Sequence, residues 1–246
     1  MLPIFSTQSD RPPHTVLETT VPAGHITLQA HLSAPAAPGG WVIIGYSRHY
    51  RHFALPHYSF GRTGLATMQL QLSPPQASLS ALESDVALHL TQQLILATHW
   101  LRSESSANPI PIGLFGAYQD AGIALSAAAF LGREIGAVVT WQGHPDRSMN
   151  HLSEIQAPTL LLVNESDESI LAANVQARWW LRCTHQLSLV PGRLRLLREK
   201  SSFQMVNQLA EEWYRRHLLG RQPLKNFPSQ LLGKPGNHEW SGRILQ

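Results

Sequence analysis

Cysteine is almost absent: Cys183 is the only one in 246 residues. That excludes an internal disulfide and a thiolate metal cluster. Cys183 itself reads as a small buried hydrophobe near a helix end. Charge is also scarce, at 14% of residues with a formal balance of +3. No basic run stands out before the C-terminal region, so nucleic acid is not an expected partner. No apolar stretch approaches the roughly 20 residues that a bilayer-spanning helix requires, so no membrane span is expected. Residues Met1 to Arg11 lack the charged and apolar regions of a secretory signal, and a cytoplasmic location is the expectation. No internal repeat is visible, and seventeen Pro with seventeen Gly are ordinary for a loop-connected domain.

Short apolar runs separated by helical patterns remain. Thr15 to Val21 and His25 to Leu32 alternate and read as a hairpin turned at Pro22-Ala23-Gly24. Trp41 to Gly45 is continuously apolar and β-branched, as a strand buried on both faces of a parallel sheet would be. Further runs lie at Leu65 to Leu72, Pro111 to Phe115, Ala137 to Trp141, Thr159 to Val163 and Gln186 to Val190. Helical patterns occupy Ala81 to Leu101, Gly122 to Leu131, Ser169 to Arg182 and Ser202 to Leu219. Strands alternating with helices predict an α/β domain over residues 15–220, with a mostly parallel sheet and helices on both faces. An N-terminal segment, 1–14, precedes it. A basic extension containing Pro and Gly, 221–246, follows it. The extension holds Arg221, Lys225, Lys234 and Arg243 against Glu239, with Leu224, Phe227, Leu231, Leu232, Trp240, Ile244 and Leu245 scattered through it. Too short to form its own core, it is expected to dock in cis or on another protein.

Ligands in such sheets bind beyond the carboxyl ends of the strands. The loops there are Tyr46 to Leu55, Ala117 to Asp120, Gln142 to Arg147, Asn164 to Ser169 and Arg193 to Ser202. One of them follows an apolar strand and opens an Ala-rich helix: Gly113-Leu114-Phe115-Gly116-Ala117-Tyr118-Gln119-Asp120-Ala121-Gly122. With Trp41 to Ile44, Thr63 to Thr67, Ala157 to Val163, Ser166-Asp167-Glu168 and Val190-Pro191-Gly192, it resembles the dienelactone-hydrolase-like branch of the α/β-hydrolase superfamily over roughly Val16 to Leu219. The resemblance implies a serine ester hydrolase with a nucleophile elbow, an acid after a late strand and a histidine after the last strand.

The motif positions do not carry that chemistry. The elbow centre falls on Tyr118, and the small residue two places later falls on Asp120. The acid position is Asp167, and the histidine position is Arg195. The oxyanion loop falls on Gly45-Tyr46-Ser47-Arg48-His49-Tyr50, bulky where glycines belong. Arginine stays charged and cannot serve as the base. A tyrosine hydroxyl on a rigid ring fills an acyl pocket and does not attack from it. Asp120 as a nucleophile would put Tyr118 where a tight turn needs a small residue. Ser126 lies too far inside the helix to attack. The expectation is a non-catalytic hydrolase-fold protein acting as a binding or assembly subunit. The alternative is a hydrolase of small esters or lactones with a non-standard site.

Asp167 and Arg195 are expected to form an ion pair at the degenerate site. Arg48, Arg51, Tyr118, His144 and Arg195 are candidates for a cationic pocket taking a carboxylate or phosphate. His49, His52 and His57, with His144, have spacing that could supply metal ligands, but no local acid completes a set, so neither metal nor cofactor is expected. Trp179, Trp180, Trp213 and Tyr214 sit on helical patterns. Trp179 and Trp180 cannot share one helix face, so one is expected to be exposed as an anchor for a protein partner.

Overall fold

The computed structural model describes residues 15–35, 37–47, 63–75, 83–104, 110–191 and 200–220. Arg48, Arg51, Arg195, His49, His52, His57 and the extension 221–246 lie outside the described residues.

Eight strands form one sheet in the order β1-β2-β4-β3-β5-β6-β7-β8. They are β1 (Thr15–Ala23), β2 (Ile26–Ala34), β3 (Gly40–Ser47), β4 (Leu65–Leu72), β5 (Ile112–Ala117), β6 (Ile135–Trp141), β7 (Thr159–Asn164) and β8 (His185–Val190). The antiparallel hairpin β1-β2 adds to β4 antiparallel, and every pair from β4-β3 onward is parallel. The helices are α1 (Glu83–Glu104), α2 (Asp120–Leu131), the single turn α3 (Met149–Leu152), α4 (Glu168–Ala177) and α5 (Lys200–Leu218).

Alternation along the central strands builds two cores, because successive side chains point to opposite faces of the sheet. Ile43, Leu114, Val138 and Leu161 pack with α1 and α2 on one face. Val42, Ile44, Phe115, Val139, Trp141, Leu160 and Leu162 pack with α5 on the other. The helices therefore cover both faces, as the strand–helix alternation implies. Helix α2 is buried at nine of its positions and needs no polar stripe, being enclosed.

Several expected boundaries shift for local reasons. The hairpin strands run further than expected and turn at Gly24-His25, where Gly24 has φ 68°. Helix α2 starts at Asp120, two residues early, because the elbow leads straight into it. Helix α4 stops at Ala177, not at Arg182. Trp179 and Trp180 thus sit in a turn beyond the helix, and both are exposed, whereas Trp213 and Tyr214 are core residues. Cys183 also lies after that turn and is only half-buried. Its Sγ stands 3.7 Å from Thr159 Oγ1, and burial pushes its thiol up.

Helix α5 lies close against the sheet because glycines make room for it. A Cβ on Gly113 would meet Tyr214 Cε1 at 2.6 Å, and one on Gly136 would meet Leu218 Cδ2 at 2.7 Å. Tyr214 is fully buried, and its hydroxyl donates to the Leu114 carbonyl at 2.6 Å. Trp213 Nε1 donates to the Pro158 carbonyl at 3.2 Å. Gly220, with φ 81°, follows the helix end. Gly113→Ala is therefore expected to lower the unfolding free energy by about 1–3 kcal/mol in urea titration, through overpacking against Tyr214. An unchanged midpoint would show that the ring is not held against the strand.

Candidate functional site

The carboxyl ends of β3, β5, β6 and β7 define the site. Strand β5 is buried throughout and ends at Ala117. The next residue, Tyr118, has φ 54°, a left-handed conformation that a bulky residue rarely adopts. Such geometry costs on the order of 1–3 kcal/mol and survives only where its surroundings hold it. Here the Tyr118 amide donates to the Trp141 carbonyl at 2.9 Å, and the Tyr118 carbonyl accepts from Ala121 N at 3.3 Å. A Cβ on Gly116 would meet the Asp120 carbonyl at 2.6 Å, so the tight strand-to-helix turn depends on that glycine. The backbone is a nucleophile elbow, and its centre is an aromatic ring. That ring packs on Trp141, centroids 5.3 Å apart, and Trp141 meets Phe203 edge-on at 5.1 Å.

Asp120 occupies the first turn of α2 and is 4% exposed. Its Oδ2 accepts the backbone N–H of Ser47 at 3.0 Å, across 73 residues of chain. Ser47 ends β3 and opens the loop from which a hydrolase of this architecture draws one of its two oxyanion donors. The backbone amide at the mouth of that loop is bound to a carboxylate of the chain itself. The position of Asp120 at the start of α2 also suits the helix dipole. In the sequence Asp120 is legible only as a departure from a small residue; its pairing with Ser47 has no local signal.

Asp167 caps α4. Its Oδ1 accepts from Ile170 N at 3.1 Å, and its Oδ2 accepts from Gln142 Nε2 at 3.2 Å. Gln142, not singled out from sequence, is the second left-handed non-glycine residue among those described, with φ 50°, and is 2% exposed. Its Oε1 accepts from Asn164 N at 2.6 Å, while Asn164 Oδ1 accepts from Trp141 Nε1 at 3.4 Å. Asn174 Nδ2 donates to the Gly143 carbonyl at 2.9 Å. The acid position is thus woven into a network joining the ends of β6, β7 and α4. The described residues bring together Tyr118, Trp141, Gln142, Asn164 and Asp167; Arg48, Arg51 and Arg195 lie outside them. His144 is half-buried beside this network. Ser126 faces away, donating to Ser148 Oγ at 3.2 Å, which in turn donates to the Gly122 carbonyl at 2.9 Å. Among the described residues, no group of three His, Cys, Asp or Glu is placed to hold a metal.

The strand order, the elbow after β5 and the acid after β7 define an α/β-hydrolase fold. Within it, the fold is that of the dienelactone-hydrolase-like branch. A dienelactone hydrolase from Anabaena variabilis superposes with a TM-score of 0.72 and 29% identity, over 83% of this chain and 99% of that one. A cold-adapted esterase from an Arctic intertidal metagenomic library shares the fold at a TM-score of 0.60 and 14% identity, over 80% of this chain and 92% of its own. In sequence, the chain is similar to a Mycobacterium tuberculosis protein, found in two strains, whose name proposes a phosphoribosyl transferase. The identity is 34% over 217 residues, 86% of this chain and 49% of that protein. The chain therefore spans about half the length of the curated relatives it matches. No protein-family model matches the chain. None of the helices in the described residues is long and apolar enough to cross a membrane.

Asp120→Ala would leave the buried Ser47 N–H without its acceptor, and is expected to cost about 1–3 kcal/mol in chemical denaturation. Asp120→Asn keeps an acceptor oxygen and should cost less. Equal losses in the two variants would mean that the hydrogen bond to Ser47 is not what Asp120 contributes.

Proposed function

We propose that this chain is a pseudoenzyme: it keeps the hydrolase fold without serine-hydrolase chemistry and acts as a binding or assembly subunit. The carrying observation is that the elbow centre is the Tyr118 ring, packed at a tilt on Trp141, while Asp120 holds the Ser47 amide. Ester hydrolysis by this architecture needs a small nucleophile at the first position and free donors at the second. Any anion taken at the site would be held by guanidiniums, with Arg48, Arg51 and Arg195 the sequence candidates, and not by the Ser47 amide. In this reading, phosphoribosyl transfer belongs to the half of the mycobacterial relatives that this chain does not match, and a phosphoribosyl transferase is the kind of protein it works beside.

The second reading, hydrolysis of small esters or lactones through a non-standard site, draws on the esterase and dienelactone hydrolase neighbours and on the retained Asp167. One pair of assays separates the two. The pseudoenzyme reading expects no turnover of p-nitrophenyl acetate above background and no fluorophosphonate labelling. Covalent labelling of a serine, abolished by mutating that serine, would establish the hydrolase reading. Tyr118→Ser with Arg195→His is expected to stay near background while Asp120 holds the Ser47 amide.

A further inference from the structure

The amino-terminal pole of the sheet, opposite the candidate site, carries an unusual surface. Trp179 is 86% exposed and Trp180 is 49% exposed. Isolated exposed apolar residues are common, but two adjacent exposed indoles are not explained by the packing of the described residues. The turn that presents them is well fixed. Trp179 N donates to the Gln176 carbonyl at 3.1 Å, Trp180 N to the Ala177 carbonyl at 3.0 Å, and the buried Leu181 anchors the far side. The turn leads into β8, whose first residue His185 pairs with Thr159 at the start of β7, which fixes its position at the amino ends of the strands.

Charge flanks the indoles on both sides. Arg178 and Arg182 are exposed, and neither has an acidic partner among the described residues. From Ser169 to Pro191 the sequence contains these two arginines and no Asp or Glu. Helix α5 ends at the same pole, where Leu218 lies over Gly40 and Gly136, at the starts of β3 and β6.

We propose that the Arg178-Trp179-Trp180-Arg182 turn docks this protein peripherally on an anionic lipid surface. Indole rings are amphipathic and settle at the headgroup level, whereas guanidiniums pair bidentately with phosphate. Stable peripheral attachment needs two signals, and this turn supplies both an aromatic insertion and a basic flank. The fixed turn holds both indoles outward and needs no ordering on contact. A single-stranded nucleic acid would call for a basic groove along which the backbone can track. Docked by this pole, the protein turns the elbow and the Asp167 network away from the membrane. Each guanidinium near such a surface strengthens partition about five-fold, an effect that salt weakens.

The test is co-sedimentation of the full chain with phosphatidylcholine vesicles, with and without phosphatidylserine, while following tryptophan emission. Binding to the phosphatidylserine vesicles alone is expected, with a blue shift, and with loss on raising salt. Trp179→Ala with Trp180→Ala should weaken binding about ten-fold or more and abolish the shift. Arg178→Gln with Arg182→Gln should weaken it about twenty-fold at low salt. These are exposed positions, so circular dichroism should match the parent, and the single Trp179→Ala variant serves if the double variant does not. Absence of binding at low salt would overturn the proposal, as would equal binding by the Trp variant. A concentration-dependent dimer in sedimentation velocity, abolished by the Trp substitutions, would assign the surface to a second copy of this chain instead.

Discussion

The contact between the Asp120 carboxylate and the Ser47 amide organises the site. It ties the end of β3 to the first turn of α2, two elements 73 residues apart. The elbow between them can therefore hold Tyr118 in a left-handed conformation that a tyrosine would otherwise leave. The same contact occupies the backbone amide at the mouth of the loop after β3. A carboxylate that fastens the turn cannot also leave the amide open, and the proposed absence of serine-hydrolase chemistry draws on that. Asp167 follows the same pattern. In a triad it would orient a base; here it caps α4 and receives Gln142, joining β6, β7 and α4 through side-chain amides.

The opposite face of the sheet shows how the scaffold bears this. Glycines under α5 allow Tyr214 to reach the Leu114 carbonyl and Leu218 to settle over Gly136, so the helix locks the central strands close to the elbow. Phe203, near the start of α5, meets Trp141, which carries the Tyr118 ring. An aromatic chain thus runs from helix α5 to the elbow.

Much of the fold was legible because its signals are periodic. Continuous apolar runs marked the parallel strands, and Ile43 on one face with Val42 and Ile44 on the other fills both cores as a strand buried on two sides must. Boundaries were less legible. Helix α4 ends before the Trp179-Trp180 turn, although the helical pattern runs on through Leu181, because Leu181 reaches the core from a turn as readily as from a helix. At the site, Tyr118, Asp120 and Asp167 were visible as departures from, or agreement with, a motif. Gln142 and Asn164 were not, since a buried amide has no local sequence signature and its role exists only across strands. The Asp120–Ser47 bond was likewise invisible, being a long-range pairing between a side chain and a backbone group.

Amide hydrogen exchange at Ser47 tests the central claim most directly. If the Asp120 carboxylate holds that amide in a buried site, it exchanges slowly in the parent protein, and Asp120→Ala selectively accelerates it while the β3 amides of Val42 to Ile44 stay protected. Rapid exchange at Ser47 in the parent, or a rate indifferent to Asp120→Ala, would contradict an amide occupied from within the chain.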